Sequence, residues 1–75
     1  MNTKKKRMIE IGALLRKARI EKGMTQQELG EAVGLNPKSA QPLVAGWERR
    51  GRPVPRARLK RVAEVLELNV VDLLP

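Results

Sequence analysis

Glycine and proline punctuate this chain into a row of segments, and they fix where its secondary-structure elements can end. Gly23 and Gly34 each close a run with helical spacing. The stretch "GRPVP" at 51–55 is held extended, because Pro53 and Pro55 push the residues before them out of the helical region. Between these breaks the apolar residues keep helical period. Ile11, Leu14, Leu15 and Ala18 recur at i, i+3, i+4, i+7 with Arg16, Lys17 and Arg19 among them, which predicts an amphipathic helix over about 9–22. Thr25 and Glu28 form a capping box that opens "QQELGEAV", with Leu29, Ala32 and Val33 on one face. Leu59, Val62, Ala63 and Leu66 restore a helical face after the prolines. Asn69 can cap a last short helix that carries Val70, Leu73 and Leu74. No run alternates as a strand does, and no repeat is present. The expectation is an all-α domain of about five short helices over 9–75, preceded by a flexible basic arm at 1–8.

A chain of 75 residues sits near the lower size limit for a self-sufficient core, and 41% apolar residues supply one. Cysteine and histidine are both absent, which leaves no disulfide, no thiolate site and no ordinary zinc ligand set. No metal or cofactor is expected. The carboxylates are scattered, Ser39, Thr3 and Thr25 have no histidine to activate them, and the glycines follow no phosphate-loop spacing, so an enzyme is not expected. The basic start "MNTKKKRM" is not followed by an apolar run, since Glu10, Gly12, Arg16 and Lys17 interrupt it. A signal peptide and a membrane span are therefore not expected, and the expected location is cytoplasmic, with the nucleoid. Net charge is +8, from 16 Lys/Arg against 8 Asp/Glu. Lys4, Lys5, Lys6 and Arg7 form one block; Arg49, Arg50, Arg52, Arg56, Arg58, Lys60 and Arg61 form another, with no acid between Glu48 and Glu64. One-sided charge of this size points to a polyanion, most often nucleic acid.

The stretch "GLNPKSAQPLVAGWERRG" places two prolines before Trp47, the single aromatic residue. A helix running from Pro37 behind an Asn36 cap would hold Pro42 in its interior, at a cost of about 3 kcal/mol. With Ser39 as cap, Pro42 becomes the third helical residue, whose N–H has no partner in any helix. The expected helix is therefore 40–49, with Asn36 and Pro37 in an enlarged turn at 34–39, or with a separate helical turn at 37–39. On that helix Ala40, Val44 and Trp47 face inward with Leu43 partly buried beside them, while Gln41, Pro42, Ala45 and Arg49 face outward.

Two short helices joined by a turn and followed by a basic segment are the parts of a helix-turn-helix. "IGALLRKARIEKGMTQQELGEAVGL", "VAGWERRGRPVP" and "LKRVAEVLELNVVDLL", in this order, resemble the phage repressor/Cro (XRE-like) family over residues 11–74. The resemblance implies a lambda-repressor-like DNA-binding domain in which Thr25 to Val33 is the first motif helix. It also implies that Gln26, with Gln27 beside it, contacts a DNA phosphate, and that the helix ending at Trp47–Glu48 enters the major groove. Arg19 and Glu48 occupy positions that pair in the family, implying a largely buried ion pair. Gly30 stands where the family usually has alanine. The linker departs from the pattern, since a turn of about three or four residues is usual.

Within that frame Gln41 can read adenine with two hydrogen bonds, and Ala45 and Gly46 leave room for bases. Lys38 and Ser39 at the helix start suit a phosphate or base edge, and Arg49, Arg50 and Arg52 suit the DNA backbone. Half of the row Arg56 to Arg61 reads as a solvated face, and Trp47 reads as core. The expected function is a sequence-specific, double-stranded-DNA-binding regulator, Cro-like or a small repressor. It would bind a palindromic operator as a homodimer through Val71, Leu73 and Leu74. A toxin-binding antitoxin that autoregulates through the same domain is one alternative, marked by a neighbouring toxin gene. An RNA-binding or general nucleoid role is the other, marked by indifference to duplex sequence.

Overall fold

The computed structural model describes residues 3–75. Four α-helices follow one another: α1 Thr3–Glu21, α2 Gln26–Ala32, α3 Pro37–Arg49 and α4 Arg56–Leu66, with a 3-10 turn at Val70–Leu73. The described residues include no strand.

The capping box is formed at α2. Thr25 Oγ1 accepts from the Glu28 N–H at 3.0 Å, and Glu28 Oε1 accepts from the Thr25 N–H at 2.8 Å. A helix of seven residues has little stability of its own, so α2 depends on this cap and on what it packs against. Leu29 and Val33 are buried with Leu15, Val44, Trp47, Val62, Leu66 and Leu73 in one apolar core. Two glycines let helices approach closely. A Cβ on Gly30 would lie 2.5 Å from the Ala40 Cβ, and one on Gly12 would lie 2.4 Å from the Trp47 carbonyl oxygen. The alanine usual at position 30 in the resembled family therefore has no room beside Ala40.

α3 begins three residues earlier than the prolines led us to expect. Asn36 caps it, its Oδ1 accepting from the Lys38 N–H at 2.9 Å, and Pro37 takes the first helical position. There Pro37 forfeits nothing, because that N–H has no helical partner. Pro42 lies inside the helix, and Ser39 is not its cap. The cost of about 3 kcal/mol is offset by several smaller gains. The Asn36 cap contributes about 1 kcal/mol, a bond from Gln27 Nε2 to the Pro37 carbonyl at 2.8 Å about 1 more, and Ala40 is wholly buried. The enlarged turn at 34–39 is accordingly not formed. Val33 to Asn36 make an ordinary turn, in which Gly34 takes a φ of +88°.

Two other boundaries differ. Of the expected arm, Met1 and Asn2 lie outside the described residues, and Thr3 to Met8 form the first turns of α1. Four cations at a helix N-terminus oppose the dipole, so tertiary contacts hold this segment. Arg7 donates from Nε to the Leu74 carbonyl at 3.1 Å and from Nη2 to the Asp72 carbonyl at 3.2 Å. The last helix is a 3-10 turn capped by Asn69, whose Oδ1 accepts from the Val71 N–H at 3.0 Å. That turn aims Leu73 into the core at 2% exposure, so Leu73 is not available to a partner, while Val70, Val71 and Leu74 are exposed.

Candidate nucleic-acid interface

α2 and α3 meet through a line of polar side chains that begins in the core and ends at the surface. Arg19 on α1 pairs with Glu48 on α3: Nε to Oε2 at 2.7 Å and Nη2 to Oε1 at 3.0 Å, with the Glu48 side chain fully buried. The Glu48 carboxylate, by accepting from it, holds the Arg19 guanidinium above its ordinary pKa despite burial. The third arm of Arg19, Nη1, donates to the Met24 carbonyl at 2.7 Å, just ahead of α2. Both ends of the motif are thereby tied to α1.

From Glu48 the line runs outward. Gln26 Nε2 donates to Glu48 Oε1 at 3.1 Å, and Gln41 Nε2 donates to Gln26 Oε1 at 2.8 Å. Each amide orientation follows from the one before it. A carboxylate only accepts, so Gln26 must turn its amino end inward and its oxygen toward Gln41. Gln41 then keeps its own Oε1 and one N–H, and its side chain is exposed at the surface.

The other expected contact residues divide by what they touch. Gln27 Nε2 donates to Glu31 Oε2 at 2.6 Å within α2 and to the Pro37 carbonyl at 2.8 Å on α3, so both its hydrogens are used inside the protein. Lys38, Ser39, Pro42 and Arg49 are exposed on α3, Ala45 is half-buried, and Arg50 follows the helix end, also exposed. Arg52 lays its side chain over Gly46, where a Cβ would meet the Arg52 Cδ at 3.1 Å. Trp47, at 3% exposure, belongs to the core and offers no face for stacking.

Sequence reasoning missed the work of α4. Arg58 Nη1 donates to the Val33 carbonyl at 2.8 Å, and Arg61 Nε donates to the Ala32 carbonyl at 3.2 Å. Two cations thus cap the C-terminal carbonyls of α2, where the helix dipole also favours them. Only the odd spacing of basic residues in a helix facing apolar ones hinted at it, and spacing cannot say which helix end lies opposite.

Two helices joined by a four-residue turn (33–36), with the second exposing Lys38, Gln41, Pro42 and Arg49, define a helix-turn-helix DNA-binding fold. A family model described as helix-turn-helix matches residues 15–73. The chain therefore belongs to this XRE-like helix-turn-helix family, a family of DNA-binding transcription regulators. Neither a curated protein nor a solved structure matches it. No helix among the described residues is long and apolar enough to cross a membrane.

Proposed function

We propose that the protein is a sequence-specific regulator that binds a palindromic operator as a homodimer, with α3 in the major groove, in the manner of a small Cro-like repressor. The observation that supports this most is the Gln41 amide. Its orientation is set through Gln26 by a buried carboxylate, and an outward oxygen beside an outward N–H matches the N6 donor and N7 acceptor of adenine. A side chain so constrained gives up little entropy on meeting a base. The second Nε2 hydrogen of Gln26 remains available to a phosphate, and Lys38, Arg49 and Arg50 would follow the backbone. Exposed Val70, Val71 and Leu74 support pairing of two copies, with recognition helices about 34 Å apart.

Selection of bound sequences from random duplexes tests the reading, since a specific regulator should prefer its site by about a thousandfold or more over unrelated duplex. Gln41→Ala should flatten the preference at one position of each half-site, a loss of about 1–3 kcal/mol of discrimination, with the melting temperature nearly unchanged. Lys38→Ala should weaken good and poor sites alike. A uniform loss from Gln41→Ala, or one monomer per operator at saturating protein in sedimentation, would overturn the respective part.

A further inference from the structure

Pro42 is the sixth residue of α3, and its nitrogen carries no hydrogen. The carbonyl of Lys38, four residues earlier, therefore has no i+4 donor, whereas alanine at position 42 would supply one. At 100° per residue, Pro42 lies almost opposite the buried row Ala40, Val44, Trp47. Lys38 and Arg49 lie one and two turns away on the same outward face, and both are exposed. A helical carbonyl points along the axis toward the following turn, so the Lys38 oxygen is aimed at the pyrrolidine ring. The ring crowds it away from the axis, toward solvent. Lys38, Ser39, Pro42, Leu43, Gly46 and Arg50 border an open cleft of about 340 Å³ on this face, closed on one side by Arg52. An apolar ring and an acceptor lacking its i+4 donor thus stand together on the outward face of α3, flanked by cations.

We propose that Pro42 and the Lys38 carbonyl read one A·T pair in the major groove. This rests on the reading of α3 as the groove-entering helix. The ring packs on the thymine C5-methyl group, and the carbonyl accepts a hydrogen bond from the adenine 6-amino group on the same base pair. Those two features occur together on A·T and on neither orientation of G·C. The arrangement uses a backbone acceptor, so it is fixed by the presence of a proline and not by the identity of residue 38. Gln41, on the adjoining edge of the helix, is left to a neighbouring pair.

The test starts from the operator preferred by the full-length protein in selection from random duplexes. Each thymine is replaced in turn by uracil, which lacks only the methyl group, and each adenine by purine, which lacks only the 6-amino group. The expected result is one base pair per half-site at which both replacements weaken binding, the uracil by about fourfold, as one buried methyl predicts. Pro42→Ala restores a helical hydrogen bond, so it should melt higher than the parent and lose sensitivity to both replacements at that pair. Sensitivity unchanged in Pro42→Ala, or uracil and purine effects confined to different pairs, would overturn the proposal while leaving the groove-binding reading intact. Failure of the parent protein to select any sequence would overturn that reading, and the proposal with it. Lys38→Ala, which keeps the carbonyl, should retain the pattern.

Discussion

Arg58 and Arg61 on α4 and Arg49 and Arg50 at the end of α3 read alike in the sequence, as members of one basic block, yet they do opposite work. The first pair reaches back into the protein and closes the carbonyls of Val33 and Ala32. The second pair is exposed beside the outward face of α3. The same division separates the two glutamines at the start of α2. Gln26 links the buried Glu48 outward to Gln41, whereas Gln27 spends one hydrogen on Glu31 within α2 and the other on the Pro37 carbonyl of α3. Net charge therefore overstates the interface, because part of it holds the helix-turn-helix in shape. Binding and stability should separate along this line.

The largest effect is expected at the buried end of the polar line. Glu48→Ala leaves Arg19 without its carboxylate and Gln26 without its acceptor. It should cost about 3–5 kcal/mol, out of roughly 5–15 for a whole domain. In a domain this small each kcal/mol moves the midpoint by about 4–8 °C, so thermal unfolding should shift down by more than about 12 °C. A shift of a degree or two would show that the buried pair is not what joins α1 to α3. Gly30→Ala comes next, since its Cβ falls 2.5 Å from that of Ala40 and the helices must part. About 1–3 kcal/mol should be lost in denaturant titration, despite the better helix propensity of alanine; a gain in stability would mean that the α2–α3 contact is loose.

Smaller effects sharpen the contrast between the arginines. Arg58→Ala should lower stability by about 1 kcal/mol and leave the salt dependence of DNA binding unchanged. Arg50→Ala should do the reverse: a melting temperature within error of the parent, and a slope of log K against log salt shallower by about 0.9. If Arg58→Ala altered the slope and Arg50→Ala the stability, the assignment of inward and outward cations would be inverted.

The elements themselves were legible where chemistry was local. The capping box of Thr25 and Glu28, the cap at Asn69, the apolar period of α1 and α4, and the inward row Ala40, Val44, Trp47 all depend on residues within a few positions of one another. The start of α3 was misjudged for the opposite reason. Local rules priced Pro42 correctly but could not include the Gln27 bond to Pro37 or the burial of Ala40 against Gly30, both made by another helix. The extension of α1 through the basic run likewise depends on Arg7 meeting carbonyls 65 and 67 residues away.

A small all-helical domain with a strongly basic surface and a helix-turn-helix at its centre follows from the order of residues alone. Periodicity, caps and charge act over one or two turns of chain, and the order of motifs carries the family. Packing between helices sets which cations face inward, where α3 begins, that Leu73 is core, and which way the Gln41 amide points. Each of those depends on a donor and an acceptor, or two surfaces, brought together from distant parts of the chain. Their distance in sequence is unrelated to their distance in the fold.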